Sequence, residues 1–302
     1  MDRGDLDRRF DEVFGELGFP YDGPRVVEAT RNRAAFDGEL FFDCFAAETL
    51  GAKVTELYPP PEAAGVRRLF DAIMAGSSDP LRAACIVYYV LHDFGIVDAK
   101  LYAKRVMLPV ASQQLVDALY ALDRLEFEDA LRQLTQPTLG PYLPGKVMDV
   151  LLAHAAPVAA PVYVELYAHA VVGTLDHAMV EVLVQALTRA RPAAALTLAR
   201  TRPADDRGAL LRIIVRQALA AGGEHAYALA GLPLRGDEET VVAAELAAHD
   251  TPAARAVLHT RRMHRAHVDR DGGDAREHLR VLAGTGRHTH LDALARTLRT
   301  GD

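Results

Sequence analysis

Residues 79–134 read DPLRAACIVYYVLHDFGIVDAKLYAKRVMLPVASQQLVDALYALDRLEFEDALRQL, and this stretch decides the fold. Asp79 is a good N-cap, and Pro80 suits the first helical position, where its missing N–H has no intrahelical partner to lose. Leu81, Ala84, Cys85, Tyr88 and Leu91 recur at helical spacing. Ile86, Val87, Tyr89 and Val90 fill the other faces, so this helix is expected to be buried nearly all round. Gly95 reads as its stop. A second helix is predicted over 97–107, halted by Pro109. A third covers 112–122, with Leu115, Ala118, Leu119 and Leu122 on one face. Asp123 with Glu126 is similar to a capping box, although the box proper opens with Ser or Thr. A fourth helix carries Phe127, Ala130, Leu131 and Leu134. Helices of this length with short joints match antiparallel helical hairpins.

The same grammar extends outward. Upstream, residues 5–18 form an amphipathic pattern with Leu6, Phe10, Val13, Phe14 and Leu17 on one side. Residues 19–35 are mixed, and Gly23-Pro24 reads as a turn. An apolar helix is predicted over 40–50, stopped at Gly51. Tyr58-Pro59-Pro60-Pro61 is stiff and extended; it reads as a joint into a helix near 66–74 rather than as a polyproline ligand. Downstream, a proline-broken crossover covers 135–146. Helices are expected near 144–155, 158–172, 176–188, 193–199, 205–221, 224–230, 238–249 and 252–267. Thr251 caps the last of these. A glycine-rich break at 269–274 precedes two short helices near 275–283 and 289–299. Period-two strand patterns are nearly absent. The fold class is therefore all-α, an irregular α-helical solenoid of stacked antiparallel helix pairs, with no period clean enough to name a repeat family. Three segments follow: an acidic helical extension (1–35), a helical domain (36–268) and a His/Arg-rich tail (269–302).

Half of the 302 residues are hydrophobic and a quarter charged, a globular composition. The net charge of −7 argues against a general nucleic-acid binder. Charge is uneven: residues 1–79 hold 16 acids and 9 bases (−7), and residues 251–302 hold 10 bases and 6 acids (+4). Cys44 and Cys85 read as buried free thiols. The charged opening residues have no secretory apolar core, and no apolar run reaches the roughly 18–20 residues a membrane span needs. The expectation is an intracellular, soluble protein without membrane insertion.

Catalytic patterns are sparse. His92-Asp93 is similar to the HD pair of helical metal-dependent phosphohydrolases, but His92 is the first histidine of the chain and no upstream histidine ligand exists. A histidine at a helix end is the ordinary reading. His259, His264, His267, His278, His288 and His290 crowd the tail without an organising carboxylate or thiol pattern, so surface histidines are the better reading. Arg261, Arg262, Arg265 and Arg270 form a candidate basic patch for an acidic partner. No phosphate loop, dinucleotide fingerprint or nucleophile elbow occurs. No catalytic, metal or cofactor-binding residue is assigned, and no cofactor is expected.

A series of segments, TELYPPPEAAGVRRLFDAI (55–73), CIVYYVLHDF (85–94), the Leu108-Pro109 stop and DALYALDRLEFEDALRQLTQPTL (117–139), resembles the ELYS-like domain of nuclear pore assembly proteins over about residues 36–260. Tyr120 stands where the family has Trp, and Pro137-Thr138-Leu139 where it has Pro-Ser-Leu. The resemblance implies a non-enzymatic helical nucleoporin in the nucleus, at the pore, docking on other nucleoporins of the Y-shaped outer-ring complex. Animal relatives add a β-propeller and an AT-hook. Neither pattern occurs here, so the chain is similar to the short fungal-type form and no direct nucleic-acid binding is expected. Two other readings stay open: a helical adaptor outside the pore, and an HD-like hydrolase.

Overall fold

A computed structural model of the protein describes residues 3–15 and 23–268. The helices run α1 (Arg3–Phe14), α2 (Gly23–Ala35), α3 (Phe41–Leu50), α4 (Val54–Leu57), α5 (Ala63–Gly76), α6 (Pro80–His92), α7 (Ile96–Arg105), α8 (Val110–Asp123), α9 (Phe127–Leu134), α10 (Pro144–His154), α11 (Ala160–Ala170), α12 (His177–Ala190), α13 (Pro192–Arg200), α14 (Ala204–Ala221), α15 (Gly223–Ala228), α16 (Gly236–Ala248) and α17 (Pro252–Val268). No strand occurs among the described residues, so the all-α expectation holds. None of the described helices is long and apolar enough to cross a membrane. The helices expected at 275–283 and 289–299 lie outside the described residues.

Local chemistry explains several boundaries. The Asp79 carboxylate accepts from the Leu81 N–H at 2.9 Å and Pro80 opens α6, as its sequence predicts. Gly51 closes α3 with φ +57°, which favours glycine. Thr251 Oγ1 accepts from Ala254 N at 3.1 Å to start α17. The mixed reading of residues 23–35 is corrected: they form α2, and Pro24 lies in its first turn rather than in a free turn. The helix escapes a periodicity search because its inward side is polar, with Asn32 only 1% exposed.

The chain divides into two units, residues 1–156 with 166–174, and residues 157–165 with 175–302. In the first, α3, α6 and α8 pack on one another, α5 and α7 flank α6, and α9 lies on α8. Residues 85–92 of α6 are buried without interruption. The rings of Phe42, Tyr58, Tyr89 and Tyr120 interlock, with centroids 4.2 Å apart for Phe42–Tyr58 and 4.5 Å for Phe42–Tyr89. Phe10 and Phe14 hold α1 edge-on against Phe70 of α5. At Gly76 a Cβ would stand 2.1 Å from the Thr49 carbonyl oxygen, so the end of α5 reaches α3 only with glycine there. In the second unit, α12, α13 and α14 pack mutually, α16 lies on α14, and α17 on α15 and α16. Packing there joins helices one or two places apart in the chain. In the first unit the α3–α8 pairing joins distant segments instead.

Candidate functional site

Tyr88, Tyr89, Tyr120 and Asp123 lie in the first unit, where the three tyrosine hydroxyls donate to three different carboxylates, those of Asp117, Asp123 and Asp93. Asp123, the last residue of α8, turns its carboxylate onto the start of α3. Its Oδ1 accepts from Phe41 N at 2.7 Å, and its Oδ2 from Phe42 N and from the Tyr89 hydroxyl, both at 2.8 Å. The free N–H groups and positive dipole end of α3 thus receive a carboxylate from 81 and 82 residues downstream. The capping-box reading of Asp123 with Glu126 is corrected by this geometry, because Asp123 caps a different helix. Asn32 Nδ2 donates to the Asp123 carbonyl at 2.8 Å. Arg33 grips Asp43 with two bonds of 2.7 Å and reaches the Tyr58 carbonyl at 3.0 Å. Burial pushes Asp123 up to about 7, against the lowering effect of its three hydrogen bonds.

His92 and Asp93 serve separate clusters. His92 Nε2 lies 3.0 Å from Asp117 Oδ1, which also accepts from Tyr88 at 2.7 Å. Burial works to raise the Asp117 carboxyl, but hydrogen bonds from His92, Lys100 and Tyr88 prevail and hold it below its ordinary value. Asp93 instead accepts from the Tyr58 and Tyr120 hydroxyls, at 3.0 and 3.2 Å. Arg25 donates to Tyr120 at 2.7 Å. The two side chains do not converge on one point, as an HD metal pair must. Among the described residues, no three His, Cys, Asp or Glu side chains stand where they could hold a metal ion. Cys44 and Cys85 are both free thiols; Cys85 is buried and Cys44 only partly so.

The basic patch is divided. Arg261 is 8% exposed and turned inward. Its Nε donates to Glu239 at 2.8 Å, and its terminal nitrogens to the carbonyls of Leu229, Ala230 and Leu232. Arg262 and Arg265 are exposed, and Arg270 lies outside the described residues. Arg265 and Arg261 line a groove of about 420 Å³ between α17 and the loop before α16. The second buried ion pair joins Arg200 to Glu238 at 2.7 and 2.8 Å. That arginine, together with the Arg235 N–H, draws the Glu238 carboxyl down to about 2. Among the described residues, the buried charges of both units tie helices and loops together.

Comparison with known proteins fits this reading. A family profile described as ELYS, nuclear pore complex assembly, matches residues 39–249. An uncharacterized protein of Schizosaccharomyces pombe, ely5, is 33% identical over 138 residues, which is 45% of this chain and 46% of that relative. The chain thus matches about half the length of that curated relative.

Proposed function

The chain belongs to the ELYS family of nuclear pore complex assembly, a structural kind of protein whose place is the nuclear pore; from that premise we propose that it is a scaffold docking on other nucleoporins of the Y-shaped outer-ring complex. The observation that carries the proposal is the match over residues 39–249, which takes in helices of both units. The internal use of the buried carboxylates supports it, since a rigid helical body is what a scaffold needs. In this reading residues 36–268 are the assembly domain, and α2 is bound to it through Arg33 and Asp43. Residues 1–35 are an acidic extension and residues 269–302 a His/Arg-rich tail. Exposed Arg262 and Arg265, with Arg270, remain a candidate contact for an acidic partner surface.

Affinity capture from nuclear extract with the full chain tests the proposal. Recovery of outer-ring nucleoporins supports it. Recovery of trafficking or ubiquitin-pathway proteins in their place would favour an adaptor outside the pore.

A further inference from the structure

Exposed apolar side chains gather at one joint of the first unit. Leu101 is 58% exposed, Val106 39%, Met107 85% and Val110 69%. They lie within ten consecutive residues, at the end of α7 and the start of α8. Ala99, Tyr102, Ala103 and Leu108 pin this segment to the core, and the residues between them face water.

Met107 is the telling residue. Leu108 N–H bonds to the Ala103 carbonyl at 2.8 Å and Met107 N–H to that of Lys104 at 3.3 Å, the Schellman pairing that ends a helix. Met107 therefore has φ +52°, a conformation that favours glycine. Backbone geometry argues for no side chain here, and burial gives this one nothing. A long, adaptable apolar side chain is nonetheless held out in solvent, the kind of side chain used at binding surfaces.

The α7 side of the rim is basic. Lys104 and Arg105 are exposed, and Lys100 lies one turn before them on α7. Arg105 donates to the Glu12 carbonyl at 2.6 Å. Of the acids nearby, Glu12 pairs with Arg8 along α1, Asp117 is taken up by Lys100, His92 and Tyr88, and Asp98 sits at the far end of α7. This joint carries two of the four lysines of a chain whose net charge is −7. We propose that the α7–α8 joint is a docking site for an apolar segment of a partner protein flanked by Asp or Glu. The inference rests on the scaffold reading above and names the surface through which it works.

Capture from nuclear extract is compared for the wild-type chain, Met107→Gly, Val110→Asp and Lys104→Glu with Arg105→Glu, alongside a photo-crosslinker placed at position 107. Met107→Gly relaxes the backbone, so its unfolding midpoint should stay level or rise while capture of outer-ring proteins falls about tenfold or more. The charge-reversed variant should fall likewise, and wild-type capture should weaken as salt rises. The crosslink should land in an acid-flanked apolar segment. If the wild-type chain captures outer-ring proteins and all variants do so equally, the docking site is overturned and the scaffold reading stands. If the wild-type chain captures none of them, both fall together. A crosslink to a second copy of this chain, or to a segment without acids, overturns the proposed partner.

Discussion

At the residue scale, Asp123 carries the most consequence. Its carboxylate receives three buried donors, so Asp123→Ala strands all three and should cost about 2–4 kcal/mol in denaturant unfolding. Its folded value near 7 exceeds its ordinary 3.8, so the fold holds the proton more tightly than the unfolded chain does. The resulting stabilisation is full below pH 3.8 and fades as the pH rises through 7. Glu238 behaves oppositely. Its value falls from 4.5 to about 2, so its contribution is present above pH 4.5 and lost as the pH falls through 2. Glu238→Gln should cost about 2 kcal/mol at pH 7, and its gap from wild type should close between about pH 5 and pH 2, as measured by urea midpoints. Neither role was legible in sequence. The donors on Asp123 stand 34, 81 and 82 residues upstream, and nothing near Asp123 announces them. Arg261 misled for a related reason: an arginine late in an amphipathic helix looks solvated until three carbonyls and Glu239 close around it.

At the scale of elements, α6 was readable in full. Asp79, Pro80 and an apolar surface all round require a capped, enclosed helix, and the structure encloses it. Leu91 is 1% exposed, so Leu91→Ala should cost about 2–5 kcal/mol, measurable as a shifted unfolding midpoint. The contact of α5 with α3 depends on Gly76. Gly76→Ala sets a Cβ against the Thr49 carbonyl and should cost about 1–3 kcal/mol by thermal melting. Met107 at the end of α7 should go the other way, with Met107→Gly stabilising by about 0.5–1 kcal/mol. By contrast α2 was not readable. Its inward residues are Asn32 and Arg33, whose hydrogen bonds replace the apolar stripe by which helices are recognised.

At the scale of the whole molecule, the order of short segments around residues 55–139 carried the family, and the match over residues 39–249 establishes it. The assembly role predicts capture of outer-ring nucleoporins, through the α7–α8 joint in particular. Sequence alone determined that the chain is helical, where most helices begin and end, and that the well-patterned block at 79–134 is buried at the heart of the first unit. Those properties depend on local interactions: caps, breakers and a period of 3.6 residues act within a few positions of one another. Only the tertiary structure decided what the buried polar residues do. It gave Asp123 to α3, divided His92 from Asp93, turned Arg261 inward and left Met107 in water. A side chain's environment is composed of neighbours from distant parts of the chain, and hydrogen-bond partners are chosen by distance in space rather than along the sequence.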